Sequence, residues 1–271
     1  MTVRQGFMID NDAAFADCLD LAVAHDFEYV ELNMDWQFAR DRTDPERVRE
    51  AVDAHGLDLV VHLPYRLDAC SPRDHVREGS VRELEAAIDA AADYGAERGV
   101  FHLQTTADDH KWDPAVVREA IYDTAERLTT YGEARGVQPV GENLKSSLFD
   151  ASDFPDYVAE TDAAACLDTG HAYATGVDAE AQATLLREHG DRIDHIHLNE
   201  TRTDATDEHL PVGMGLIDFE EIADAIRETD WTGTCTHELF TLDRGYAADS
   251  KRRFDALLAE EGPYADLWQA Q

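Results

Sequence analysis

The chain has 271 residues, and 58 acidic residues against 23 basic ones give it a net charge of −35. Such a surface repels polyanions and holds water and cations, as the surfaces of halophilic proteins do, so the composition indicates a halophilic source. The N-terminus lacks the basic start and apolar stretch of a signal peptide, and no run approaches the length of a membrane span. We therefore expect a soluble, cytoplasmic protein without a membrane partner.

Eight apolar, strand-like runs alternate with amphipathic helical stretches along the chain. In chain order the runs are VRQGFMI, YVELNM, LDLVVHL, RGVFHLQ, QPVGENL, AACLDTG, IDHIHLN and TGTCTHELF. Asp44 before Pro45 predicts a helix start, and Gly56 predicts where that helix stops. Eight strand-then-helix units predict the α/β class and a (β/α)₈ TIM barrel, with residues 1–271 as a single domain. A doubly wound open sheet is the alternative.

The four cysteines lie far apart and form no C-x-x-C pair, so neither a zinc ribbon nor a disulfide framework is indicated. We expect buried thiols in a reducing compartment at Cys18, Cys70, Cys166 and Cys235.

Residue types that bind metals recur at the ends of the predicted strands, where a (β/α)₈ barrel builds its active site. They are Glu31, His62, His102, Glu142, Asp168 with His171, His197, Glu238, and, in the loop after the seventh strand, Asp207 with His209. One such residue at a strand end is usually a satisfied polar group. Their recurrence at successive strand ends predicts a metal-binding rim.

The composition of this rim leaves the metal open. Oxygen-rich sets suit Mn²⁺, Mg²⁺ or Co²⁺, and sets dominated by histidine suit Zn²⁺. An oxygen-rich set of four is available in Glu142, Asp168, His197 and Glu238. Further imidazoles extend it to more than one ion: His62, His102, His171 and His209.

These motifs resemble the superfamily of xylose isomerase-like TIM barrels, which includes sugar epimerases, sugar isomerases and endonuclease IV. The resemblance runs through nearly the whole chain. Its motifs, in order, are HLPY, GENL, LDTGH, HIHLNE, DEHLPVGMGLIDF and HEL.

The resemblance to ketose epimerases implies one divalent ion, which stabilises a cis-enediolate while two glutamates pass a proton at the substrate carbon. The ion would be held by Glu142, Asp168, His197 and Glu238, with Glu142 and Glu238 as the catalytic pair. His171 and Arg202 would bind the sugar or sugar phosphate, and Glu31 and Trp36 would line its pocket. An isomerase or epimerase of carbohydrate metabolism is our first prediction, with a homo-oligomer as a compatible assembly.

The resemblance to endonuclease IV implies instead three zinc ions and hydrolysis of a phosphodiester in abasic DNA. All nine positions have the required residue type: His62, His102, Glu142, Asp168, His171, His197, Asp207, His209 and Glu238. Tyr65 stands where that family has a tyrosine near the DNA. The runs FHLQ and DTGH depart from the family's motifs, and the negative charge disfavours nucleic acid as a partner. We therefore rank this nuclease second, and a non-catalytic metal- or sugar-binding barrel third.

Overall fold

The computed structural model describes residues 3–10, 14–204 and 206–260. Eight parallel strands close into a barrel in chain order, each strand pairing with its sequence neighbours and β1 pairing with β8. This confirms the (β/α)₈ barrel and excludes the doubly wound sheet. The strands are β1 Arg4–Ile9, β2 Tyr29–Asn33, β3 Asp58–His62, β4 Arg98–His102, β5 Gln138–Glu142, β6 Ala164–Asp168, β7 Ile193–Leu198 and β8 Thr234–His237.

Helices follow every strand in the described part of the chain. They are α1 Phe15–Ala24, α2 Pro45–Ala54, α3 Asp74–Tyr94, α4 Pro114–Glu133, α5 Phe154–Glu160, α6 Thr169–Ala174, α7 Ala179–His189, α8 Phe219–Glu228 and α9 Gly245–Leu258. Two helices, α6 and α7, follow β6, where the sequence pattern predicted one. Short 3₁₀ turns precede α2 and α5.

The helix boundaries follow the predicted signals. The Asp44 side chain accepts a hydrogen bond from the backbone N–H of Glu46 at 3.2 Å, and α2 begins at Pro45. Gly56 has a φ of +67°, in the left-handed region where glycine has no steric penalty. The chain therefore leaves α2 and enters β3 without strain.

The barrel interior changes character along its axis. Its lower part is filled by apolar and aromatic side chains, among them Tyr29, Val60, Val100 and Val140. Because strand residues alternate between the two faces of the sheet, the inward positions nearer the C-terminal ends follow two residues later. These positions carry Glu31, His62, His102 and Glu142, so the polar part of the interior lies directly above the apolar layer.

The four cysteines are buried free thiols, as predicted. Among the described residues, none of the helices has the length and apolar character that crossing a membrane requires.

Candidate metal centre

Nine side chains from β3 to β8 and the following loops converge at the C-terminal end of the barrel. Seven of them line a cavity of about 750 Å³, and the other two, Asp168 and His197, lie fully buried beneath it. Their possible ligand atoms fall into three adjacent sets, and within each set the atoms lie within 4.8 Å of one another.

The first set consists of His62, His102 and Glu142, at the ends of β3, β4 and β5. The Nε2 atoms of the two imidazoles are 3.2 Å apart. They lie 3.3 Å and 3.2 Å, respectively, from Oε2 of Glu142. Because these two nitrogens face each other, only one of them can carry a hydrogen in the space between them. The other nitrogen directs a lone pair into that space, which Oε2 of Glu142 also faces. This convergence suits a cation.

The second set consists of Glu142, Asp168, His197 and Glu238. Nδ1 of His197 lies 3.2 Å from Oε1 of Glu142 and 3.1 Å from Oε2 of Glu238. Glu142 therefore turns one oxygen toward each of the first two sets. Oε2 of Glu238 is buried, and its nearest polar neighbours are Nδ1 of His197 at 3.1 Å and Nδ1 of His209 at 3.5 Å, neither of which forms a hydrogen bond with it. A buried carboxylate oxygen without a hydrogen bond is costly unless a cation meets it.

The third set consists of His171, Asp207 and His209, at the more open side of the cavity. Oδ2 of Asp207 lies 3.0 Å from Nε2 of His171 and 2.9 Å from Nε2 of His209. The Asp207 side chain is 28% exposed. The ring of His209 stacks on Phe240 with a centroid separation of 3.9 Å, which fixes the orientation of this imidazole.

The carboxylates and imidazoles compensate one another's charge. Burial raises the pKa of Glu142, but the imidazoles of His197 and His102 outweigh burial and hold this pKa well below its ordinary value. Burial lowers the pKa of His62, but the bonded carboxylate of Glu142 outweighs it and raises this pKa to about 9. Burial also lowers the pKa of His209, but nearby carboxylates, chiefly Glu238, outweigh it and raise this pKa to about 9. Bound cations would take over the role of the protons on these imidazoles.

The sequence DTGH brings two candidate ligands, Asp168 and His171, together because it turns from a strand into a helix. The Asp168 side chain caps α6 by accepting a hydrogen bond from the His171 N–H at 2.6 Å. The other oxygen of Asp168 accepts from the Asn199 side chain at 2.5 Å, and the Asn143 side chain bonds to both the N–H and the carbonyl of Asp168. These two asparagines, which the sequence analysis did not single out, hold Asp168 in place.

Glu200 holds the loop that carries the third set. Its carboxylate accepts hydrogen bonds from the backbone N–H groups of Gly213 at 2.9 Å and Ile217 at 3.2 Å. Burial raises the pKa of Glu200 to about 7 in spite of these donors. A Cβ atom on Gly215 would lie 2.1 Å from the Glu200 carboxylate, so the loop needs glycine there. Glu200 ends the motif HIHLNE, and the motif itself does not indicate this role.

Beneath the centre, Glu31 lies in the middle of β2, and not at its end as the sequence analysis placed it. The strand continues to Asn33, so the Glu31 side chain falls below the cavity, where it is fully buried. It accepts hydrogen bonds from His195 and His197, each at 3.2 Å. Burial raises the pKa of Glu31, but these two imidazoles outweigh it and hold the pKa well below its ordinary value.

Three residues predicted to bind substrate do not line the cavity. Glu31 is fully buried below it, and Trp36 is 61% exposed outside it. The Arg202 side chain is 66% exposed and pairs with Glu208 at 2.5 Å. Tyr65 does line the cavity. Cys166, His195 and His197 also lie together. Both nitrogens of His195 already have protein partners, Thr234 and Glu31, so this group is not a fourth ligand set.

Comparison with known proteins places the chain among similar barrels. Residues 19–257 match the family described as xylose isomerase-like TIM barrel. The probable endonuclease 4 of Mycobacterium ulcerans (strain Agy99) is 30% identical over 233 residues, which cover 82% of this chain and 90% of that protein. The probable endonuclease 4 of Mycobacterium tuberculosis (strain ATCC 25177 / H37Ra) is 27% identical over 220 residues, which cover 79% and 83%.

Solved structures share the fold at lower identity. A D-tagatose 3-epimerase-like protein superposes with a TM-score of 0.79 at 20% identity, covering 96% of this chain and 99% of that one. An L-ribulose 3-epimerase superposes with a TM-score of 0.74 at 17% identity, covering 100% and 99%. At these identities the likeness shows the common barrel.

Proposed function

The chain belongs to the xylose isomerase-like TIM barrel family, and we propose that within this family it is a zinc-dependent phosphodiesterase of the endonuclease 4 type. The observation that carries this proposal is the division of nine side chains into three adjacent ligand sets, the first two of which share Glu142. A single ion would leave His62, His102, Asp207 and His209 without a ligand role. The likeness to proteins named probable endonuclease 4 supports the same reaction class.

The residues of the chain fit histidine-rich zinc sites. The first and third sets each combine two imidazoles with one carboxylate, and zinc sites with three protein ligands leave a position open for water or substrate. Zinc ions held there would stabilise negative charge on phosphate oxygens and lower the pKa of water. Glu142 keeps the first two sets adjacent because its two oxygens face different sets.

The rim offers contacts for the substrate. Arg66 is the one arginine among the described residues that line the cavity, and its guanidinium lies 5.5 Å from the centre of the Tyr65 ring. In the proposed reaction Arg66 would contact a phosphate oxygen, and Tyr65 the adjoining sugar. Molar salt would screen the repulsion between DNA and a protein of net charge −35.

The test is metal content together with strand incision. Wild type should hold three zinc ions per chain and cut a duplex with one abasic site in molar KCl. Glu142→Gln should lose two ions because Glu142 belongs to two sets, and Asp207→Asn should lose one. Glu83→Gln, which removes an exposed carboxylate paired with Arg40, is the matched control and should keep all three. One ion per chain with no incision would contradict the proposal.

A sugar isomerase or epimerase is the second candidate, and two observations favour it. The net charge of −35 opposes binding of a polyanion, and a cavity of about 750 Å³ has the size of a small-molecule site. Glu142 and Glu238 both approach Nδ1 of His197. In this reaction one of the two carboxylates removes a proton from the substrate carbon and the other returns one to the opposite face.

The two candidates give different results with a panel of ketoses. Epimerisation with uptake of solvent deuterium, in a protein that holds one Mn²⁺, Mg²⁺ or Co²⁺, would replace the first proposal by the second. In that case His102→Ala and His209→Ala should raise KM more than they lower kcat. In a three-zinc phosphodiesterase each of them should empty a site.

A further inference from the structure

We infer that Glu31 is a positioning residue for the metal centre. Its carboxylate accepts a hydrogen bond from the Nε2–H of His197, so the Nδ1 lone pair of His197 faces the other three members of the second ligand set. This inference rests on the proposed metal centre, because it requires His197 to be a ligand. It gives a role to a buried carboxylate that the proposed reaction does not itself use.

The two nitrogens of His197 face different groups. Nδ1 lies 3.2 Å from Glu142 and 3.1 Å from Glu238, and Nε2 lies 3.2 Å from Oε1 of Glu31. A cation bound between Glu142 and Glu238 would displace any proton from Nδ1, and the acceptor at Nε2 would then keep the single hydrogen of the neutral imidazole on Nε2. A carboxylate in this position also makes the imidazole a stronger electron donor.

Glu31 is itself held from the other side. Its Oε2 accepts hydrogen bonds from the Thr236 hydroxyl at 2.5 Å and from Nε2 of His195 at 3.2 Å. The Tyr29 hydroxyl lies 2.9 Å from the Thr236 hydroxyl, and the Thr234 hydroxyl lies 2.6 Å from Nδ1 of His195. All of these residues are fully buried. The carboxylate therefore cannot turn toward water and away from His197.

Packing of the barrel does not account for a carboxylate here. The layer below is formed by side chains such as Val60, Val100 and Val140, and an apolar side chain at position 31 would extend that layer. Glu31 has ion pairs with imidazoles only, among the residues that the structure describes. Burying an ionised carboxylate beside this apolar layer costs free energy. The hydrogen bond of Glu31 to His197 gives a functional reason for a carboxylate at this position.

The test is the affinity of the metal-free protein for Co²⁺ and Zn²⁺, measured by competition with a chromophoric chelator. Glu31→Gln keeps the shape of the side chain and removes its charge. It should weaken binding of one ion by about 10–100-fold, the usual effect of losing such a partner of a metal-bound histidine, and leave the other ions unchanged. The Co²⁺ absorption spectrum should change with it.

Tyr29→Phe is the matched control, because it removes a hydrogen bond from the far end of the same buried network without touching Glu31 or His197. If Glu31 only stabilised the barrel, Glu31→Gln and Tyr29→Phe should shift the unfolding midpoint by similar amounts, and both should keep the wild-type metal affinity. The inferred role predicts weaker binding in Glu31→Gln alone.

Glu31→Asp covers the case in which Glu31→Gln fails to fold. It keeps the buried charge but is one methylene too short to reach Nε2 of His197, so it should show the same loss of affinity. Wild-type affinity in either folded variant, or an equal loss in Tyr29→Phe, would overturn the inference. Absence of tight metal binding by the wild type would instead overturn the proposed metal centre, so the two failures are distinguishable.

Discussion

If zinc binds the centre as proposed, the metal-free protein should have a stability that depends strongly on pH. In the metal-free protein the pKa of His62 is raised from 6.5 to about 9, because the bonded carboxylate of Glu142 outweighs burial. The pKa of His209 is raised to the same extent, chiefly beside Glu238. A histidine whose folded-state pKa lies above its unfolded value contributes stability below the unfolded pKa. That contribution is lost as the pH rises through the folded pKa.

The size of the effect follows from these shifts. A shift from 6.5 to about 9 corresponds to roughly 3 kcal/mol for each imidazole. The two groups belong to different ligand sets, so their contributions add in part, to roughly 3–6 kcal/mol between pH 6.5 and pH 9. This is a large share of the ~5–15 kcal/mol that stabilises an ordinary protein.

Bound zinc should reverse the trend, because metal ligands must be deprotonated and the affinity therefore rises with pH. The assay is urea unfolding at pH 6.5, 8 and 9 in constant molar KCl, with and without zinc after exhaustive chelation. His110→Ala, at an exposed histidine in the loop after β4, should retain the wild-type pH dependence, and His62→Gln should lose about half of it. A metal-free protein whose free energy of unfolding is constant or rises from pH 6.5 to pH 9 would refute the reasoning.

Two further predictions concern the loop carrying the third set and the acidic surface. Burial raises the pKa of Glu200 from 4.5 to about 7, so the stability linked to its protonation is present below about pH 4.5 and is lost as the pH rises through 7. Glu200→Gln should lack this pH dependence, roughly 3 kcal/mol between pH 4.5 and pH 8 in urea unfolding, and an unchanged dependence would contradict the assignment. The midpoint of thermal unfolding should rise with KCl up to molar concentrations, because salt screens repulsion among the 58 acidic residues. A midpoint that stays constant or falls with KCl would contradict the halophilic interpretation.

The barrel and the residue types of its centre could be predicted from the sequence because both depend on local patterns. Alternating strand and helix signals predict a (β/α)₈ barrel, and ligand-type side chains at strand ends must meet because all parallel strands end on one side. The same pattern leaves the number of ions open. His62 and Glu142, 80 residues apart, come within 3.3 Å only when the barrel closes.

The tertiary structure decided which residues share a set and which stand apart. Each oxygen of Glu142 faces a different set, because closure of the barrel brings β5 between the histidines of β3 and β4 on one side and His197 of β7 on the other. Glu31 and His62 are both in strand-end motifs, yet one is sealed beneath the cavity and the other lines it. Chain spacing carries no information on this depth, because depth depends on how far each strand continues and how its neighbours are staggered around the closed barrel.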